Sequence, residues 1–300
     1  LYKLGKSRLA PFLYSYEREG RSVISNKLLL TPEQEVTLIR ALEENYKPEN
    51  RYYKYDFYYD NCATRIRDII EKNIPAIQVG YDRDYQTMSY RKTLDLYTHP
   101  HYPWTDLGMD LILGRPTDVR CDARGSMYLP DYLQSNLAEY TINDNPLLGE
   151  SKELLPQRVV GNHYWLLHPL FILGILYIAF AYFSKKKPSL KIWNIIDPIL
   201  LIVLSIMGCI MLFMHFGTDH IATNWNLNVL WAFPFLWIAW RFKENAQWWR
   251  IFVFIYLAGL LIALFGQRGF WGIAFLQFIV IVIASRRGWS EQGLKNWFTE

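Results

Sequence analysis

Between Leu166 and Ser285 the chain carries five apolar runs, at Leu166–Phe183, Pro198–Met214, Trp225–Trp240, Ile251–Gly266 and Phe270–Ser285. The first holds 18 residues with no formal charge, enough for one membrane-spanning helix. A backbone that enters hydrocarbon must satisfy its polar groups within its own segment, so runs of this kind predict helices. The third run is the weakest, because Asn226 and Asn228 interrupt its start. Aromatic residues cluster near the run ends, at Trp225, Trp248, Trp249 and Trp271, where amphipathic rings anchor to the membrane interface.

Charge is divided along the chain. Residues 1–160 hold 21 Lys and Arg with 23 Asp and Glu, whereas residues 161–300 hold 11 and 5. The N-terminal half therefore reads as water-soluble and the C-terminal half as membrane. The net charge of +4 is no nucleic-acid signal, since the basic excess sits in loops between apolar runs. If five helices alternate, Lys185, Lys186, Lys187, Lys191, Arg241, Lys243, Arg250, Arg286, Arg287 and Lys295 share one side and only Arg268 lies on the other. By the positive-inside rule the C-terminus is cytoplasmic and residues 1–160 face the outside.

The soluble region predicts mixed structure. Leu9 to Leu30 alternates aromatics with charge and reads as strands joined by a turn at Glu19-Gly20. Thr31-Pro32-Glu33-Gln34 has capping-box form, and Val36, Ile39, Leu42 and Tyr46 make one apolar stripe expected to pack in the core. A further helix is expected at Tyr90–Tyr97; Trp104 to Gly114 is apolar apart from Asp106 and Asp110, and Arg115–Asp118 reads as a turn. Asn143–Gly149 and Pro156-Gln157-Arg158 read as a linker, so the boundaries are 1–142, 143–163 for the linker, and 164–300. The start at Leu1 shows neither Met nor a charged region followed by an apolar one, as a fragment or a mature secreted start would.

A single stretch of the soluble region carries chemistry. Tyr53, Tyr55 and Phe57 alternate with Lys54 and Asp56 as in a half-buried strand, and Ile66, Ile69 and Ile70 then fall at helical spacing, leaving Arg65, Arg67 and Asp68 to water. Asp60 or Asn61 supplies the N-cap, which puts Cys62 in the first helical turn. Unpaired N–H groups and the positive end of the helix dipole favour a thiolate there. The same N–H groups suit the oxyanion formed when a thiolate attacks an ester or amide carbonyl. The competing readings are a small buried hydrophobe or a disulfide with Cys121.

Asn61-Cys62 at a helix head, followed by Thr64-Arg65-Ile66-Arg67-Asp68, resembles the N-terminal periplasmic domain of the Lnb-type bacterial lipoprotein N-acyltransferases. Met127–Leu133 resembles a further stretch of that domain, with packing as its expected job. More distantly, the Asn-Cys pair is similar to permuted papain-like acyltransferases, in which the catalytic histidine precedes the cysteine. The resemblance implies a partial, permuted papain-like α+β domain outside the cell, followed by an all-α membrane domain of five transmembrane helices. It implies a multi-pass protein of the bacterial inner membrane, truncated at its N-terminus, with its base upstream of Leu1. It also implies acyl transfer from a phospholipid or lipoprotein ester, a phospholipid being the expected donor, to the α-amine of a diacylated lipoprotein's N-terminal cysteine. Cys62 would be the nucleophile, with Asn61, Ala63 and Arg65 as its substrate or oxyanion contacts. A cysteine hydrolase of peptide or amide bonds and a non-catalytic membrane scaffold are the alternatives.

The remaining candidates are histidines and amides. His99 and His101 lie in a loop bracketed by prolines, one residue apart, which excludes a helix-borne zinc pattern; in the unpermuted papain order either serves as the base. His215, His220, Asn224, Asn226 and Asn228 gather at the outer end of the second run, together with Asp219, Thr223 and Trp225. Polar groups at membrane depth default to function, here lipid handling or substrate positioning, against an ordinary interfacial loop with capping asparagines. His215 and His220 are five apart, on different helical faces, so no metal or other cofactor is expected.

Overall fold

The computed structural model describes residues 2–80, 88–157, 165–267 and 274–289. Arg158 and the rest of the expected linker, Arg268, the first four residues of the fifth apolar run, and Lys295 lie outside the described residues. The chain divides into two compact units. One takes residues 1–93 and 120–162, the other residues 94–119 and 163–300.

The first unit carries β1 (Tyr2–Lys3), α1 (Leu9–Arg18), β2 (Val23–Leu28), α2 (Pro32–Tyr46), β3 (Tyr52–Tyr53), α3 (Cys62–Asn73) and β4 (Ile77–Gln78). α4 (Tyr90–Thr98) carries the chain from the first unit to the second, where α5 (Pro103–Ile112) and a 3₁₀ turn at Arg115–Asp118 follow. The first unit then resumes with α6 (Ala123–Ser126), α7 (Pro130–Leu137), β5 (Thr141–Ile142), β6 (Asn145–Pro146) and β7 (Leu148–Leu155). Its sheets are small: β1 pairs with β3, β2 with β7, and β4, β5 and β6 form a three-stranded sheet, every pair antiparallel. The hairpin from β5 to β6 turns at Asn143 and Asp144, both with positive φ (48° and 64°), as a two-residue hairpin turn requires. Residues 143–155 thus fold within this unit. Ile70 of α3 and Ile74, its C-cap, pack with Met127, Leu133, Leu137, Tyr140 and Leu147 to make its core.

Three expectations for this unit are corrected. Leu9–Arg18 is a helix, because Leu9, Phe12, Leu13 and Tyr16 recur at helical spacing, and the Phe12 and Tyr16 rings meet at 4.3 Å. It ends where expected, at Gly20, whose φ of 70° suits the left-handed C-terminal position. The strand expected from Tyr53 stops there, because the Asp56 carboxylate accepts the Tyr58 and Tyr59 N–H groups at 2.9 Å and closes a turn. In α2 the Thr31 and Gln34 capping box forms, yet Val36, Ile39, Leu42 and Tyr46 are exposed and the buried residue is Leu38. The resulting sheets are short and separate, two of two strands and one of three.

The second unit holds α8 (Pro169–Lys186), α9 (Trp193–Phe216), α10 (Ala246–Gly266) and α11 (Ala274–Gly288). Among the described residues, α8, α9 and α10 are long and apolar enough to cross a membrane; α11, which ends the fifth run, has 15 described residues. The third run departs from the expected α-helix. It forms 3₁₀ turns at Leu227–Leu230 and Leu236–Phe242 instead of an α-helix. The Asn226 side chain accepts from the Asn228 N–H, and Pro234 has no N–H to give, so an α-helical ladder is broken twice.

This irregular run still follows α9 from His215 to Ser205 in the opposite direction. Asn224 meets His215, the Ala232 carbonyl lies against Gly208, and the Trp237 N–H donates to Ser205 Oγ at 3.0 Å. A Cβ at position 208 would overlap that carbonyl, so the close approach requires glycine. Non-helical backbone at membrane depth is tolerated where protein encloses it, and here Trp231 and Ala232 are fully buried between α9 and α10.

Candidate active site

Cys62 is the first residue of α3 and its side chain is exposed. Asn61 caps the helix: its Oδ1 accepts the Ala63 and Thr64 N–H groups at 2.8 and 2.9 Å, and Thr64 Oγ1 accepts the Asn61 N–H at 2.8 Å. The Asn61 amide faces the other way. Its Nδ2 donates to the Phe57 and Tyr128 carbonyls at 3.0 and 2.8 Å, and the residue is 4% exposed. One buried side chain therefore fixes the helix start to both the preceding turn and a segment 67 residues away.

That segment is the Met127–Leu133 stretch, and packing is what it does here. The Tyr128 ring sits among Phe57, Tyr58 and Tyr90, with Tyr58 edge-on at 4.9 Å, and its hydroxyl shares a 2.9 Å hydrogen bond with Thr93 Oγ1. Sequence reasoning flagged the stretch but missed Tyr128 as the anchor, because a backbone acceptor leaves no residue-type signal.

The cap redistributes the expected oxyanion donors. The Ala63 N–H donates to Asn61 Oδ1 and the Arg65 N–H to the Asn61 carbonyl at 3.1 Å, so both are engaged inside the helix start. The Cys62 N–H takes no part in the cap. The Arg65 guanidinium forks onto Asp60 at 2.6 and 2.9 Å and lies 3.7 Å from the centre of the Tyr53 ring. Tyr2 stacks on Tyr55 at 4.5 Å, extending an aromatic surface beside the thiol. Burial, and behind it the negative charge of a Cys62 thiolate, pushes the Tyr55 phenol upward, so the ring stays neutral and presents an apolar face. Arg67, expected in water, is buried, with its guanidinium on Asp68 and the Arg124 carbonyl.

Cys62 and Cys121 are free thiols, so the disulfide reading is not realised. Cys121 is fully buried, and burial together with the Asp122 charge pushes its thiol up to about 12. It is inert at neutral pH.

The described histidines, His99, His101, His168, His215 and His220, fall in the second unit, whereas Cys62 is in the first. His99 Nδ1 lies 2.9 Å from Asp106 Oδ2, the other carboxylate oxygen accepts from Thr98 Oγ1 at 2.5 Å, and the His99 ring meets that of His168 edge-on at 6.0 Å. His101 stands beside Tyr102. The polar residues of the membrane domain have defined tasks. Asn226 Nδ2 donates to the Leu111 and Ile112 carbonyls at 2.7 and 2.9 Å, and Asn228 Nδ2 to those of Asp110 and Leu111 at 3.0 and 3.2 Å. Gln267, which sequence reasoning passed over, donates to the Leu113 carbonyl at 3.1 Å. Three amides thus satisfy the open carbonyls at the C-terminus of α5, binding residues 94–119 into the membrane unit. His215 accepts the Trp225 N–H at 3.4 Å, where Trp225 turns with a left-handed φ of 52°; His220 begins the 3₁₀ turn at Ile221–Thr223. Among the described residues no cluster of His, Cys, Asp or Glu is arranged to hold a metal ion.

Residues 3–99 match the model of the Lnb N-terminal periplasmic domain, and residues 162–292 match that of the Lnb transmembrane domain. The first match includes Asn61 and Cys62; Met127–Leu133 lies between the two. No curated protein and no solved structure matches the chain.

Proposed function

The chain belongs to the Lnb family, and on that premise we propose that it is a membrane-bound acyltransferase acting on the N-terminal cysteine of bacterial lipoproteins. It is a membrane protein whose N-terminal region is a periplasmic domain. The observation that carries the reaction is the exposed Cys62 thiol at the first position of α3, beneath a buried cap that keeps that helix start in place.

In the proposed reaction the Cys62 thiolate attacks the carbonyl carbon of a phospholipid acyl ester. The carbonyl electrons move to oxygen, and the Cys62 N–H at the positive end of α3 is placed to receive that charge. Collapse expels the lysophospholipid alkoxide, which takes up the proton the base removed from the thiol. The resulting thioester is attacked by the α-amine of the diacylated lipoprotein. An amide forms, thiolate is released, and the amine proton returns to the base. Both substrates are lipid-borne, so anchoring the nucleophile to the bilayer replaces diffusion by proximity. By family resemblance the base is a histidine.

The test is a trapping experiment. Full-length protein in bilayers containing phospholipid with an isotope-labelled acyl chain is quenched before lipoprotein is added, digested and read by mass spectrometry. A hydroxylamine-labile acyl mass on the Cys62 peptide, absent in Cys62→Ser, is expected. Acylation of lipoprotein by Cys62→Ser at the native rate overturns the proposal. Release of free fatty acid without transfer to the added lipoprotein marks the protein as a hydrolase.

A further inference from the structure

In the second unit the end of α8, the starts of α9 and α10 and the end of α11 enclose an open cavity of about 1710 Å³. Seven lysines and arginines line it, against a single carboxylate, Glu244. Two of the seven share one carboxylate from behind. Fully buried Asp197 pairs with Arg286 and, at 3.0 Å, with Arg287, and Ser184 also holds Arg286. The other five, among them Lys185, Arg241, Lys243 and Arg250, have no carboxylate partner among the described residues. Two helix starts and two helix ends meet here, so their dipoles offset one another and the side chains set the sign of the field.

A second observation points to an anion. Among the described residues, Arg286 is 8% exposed and its Nε has no hydrogen-bond partner; Arg250 donates Nε to the Gly288 carbonyl at 2.7 Å and its buried Nη2 has none. Buried guanidinium N–H groups left open in a basic cavity need an oxygen acceptor, and the fork of an arginine suits a phosphate. The walls suit its lipid form. Trp193, Phe242 and Trp289 line the same cavity, and Leu190, Ile192, Phe242 and Trp289 are exposed around it, as an acyl chain running outward would require.

We propose that this cavity binds a phosphate-bearing anion, the headgroup of an anionic phospholipid, at the basic end of the membrane unit. Basic pockets between transmembrane helices bind lipid headgroups on this electrostatic ground. The inference does not rest on the acyl-transfer reading. Full-length protein purified in detergent is titrated with phosphatidylglycerol, phosphatidylcholine and inorganic phosphate separately, and bound lipid is counted by native mass spectrometry. Saturable retention of phosphatidylglycerol over phosphatidylcholine is expected, falling about fivefold for each cation removed, as in Arg250→Gln and Lys243→Gln. Arg250→Lys should retain most of it. Saturable binding of inorganic phosphate alone that displaces the lipid would identify the free anion as the ligand at the same site. Equal retention of the two lipids without phosphate binding overturns the proposal, as does unchanged retention in a Lys185→Gln/Lys243→Gln variant, whose surface lysines can be removed without unfolding the core.

Discussion

Asn61 performs two tasks, and substitution separates them. Its Oδ1 caps α3 and its Nδ2 ties the cap to the Phe57 and Tyr128 carbonyls. Asn61→Ala removes both and should cost about 1–2 kcal/mol for the cap alone. Aspartate caps a helix as well as asparagine does, so if only the cap mattered Asn61→Asp would be silent. Here it would set a carboxylate against two buried carbonyls beside the nucleophile, and we expect it to lose more stability and more activity than Asn61→Ala; thermal unfolding and turnover of the pair decide. The cysteines separate by environment in the same way. In folded protein at pH 7.5, iodoacetamide should modify exposed Cys62 and leave Cys121, whose buried thiol stays protonated until its pKa near 12, unmodified on peptide mapping. Modification of Cys121 before Cys62 would contradict the structure.

Elements in this protein are decided partly by side chains far away in sequence. α5 ends with carbonyls that Asn226, Asn228 and Gln267 satisfy, and an unsatisfied buried acceptor costs about 1–3 kcal/mol. Asn226→Ala and Asn228→Ala should each lower the midpoint of thermal unfolding, with turnover per folded molecule kept within a few fold. A hundredfold loss of turnover at unchanged stability would instead give these amides a role in handling substrate. The helix start at Cys62 and the capping box at Thr31 were legible because capping is a matter of two or three adjacent residue types. The third apolar run was not, since its 3₁₀ turns depend on Ser205 and Gly208 of α9, which satisfy and admit its backbone. Leu9–Arg18 was misread for a local reason: alternating aromatics in a short charged stretch fit both periods, and the Phe12 and Tyr16 pair favours the helix. The Tyr128 anchor could not be read at all, because it is a carbonyl.

At the scale of the whole molecule, substitution decides whether the loop histidines take part in the reaction. If neither is the base, His99→Gln and His101→Gln together leave acylation by the full-length protein within a few fold, whereas losing a true base costs about 10²–10⁴ in rate. Topology supplies the last expectation. The positive-inside argument needs each apolar run to cross, not to be α-helical; the third run follows α9 from His215 to Ser205, and its Trp240 meets Arg287, which pairs with Asp197 near the start of α9. Lys185, Lys191, Arg241, Lys243, Arg250, Arg286 and Arg287, drawn from three separate stretches of sequence, line one cavity, so the structure gathers at one end the charges that the alternation assigns to one side. That end should face the cytoplasm, where loops rich in Lys and Arg are retained. In a cysteine-free background, a cysteine replacing Lys186, exposed at the last position of α8, should be shielded from a membrane-impermeant maleimide in cells with a permeabilised outer membrane, and should react once the inner membrane is opened. A cysteine replacing Lys152, exposed on β7 of the N-terminal unit, should react without that treatment. Lys186 reacting in intact spheroplasts while Lys152 stays silent would invert the protein in the membrane and remove Cys62 from the compartment in which the proposed reaction takes place.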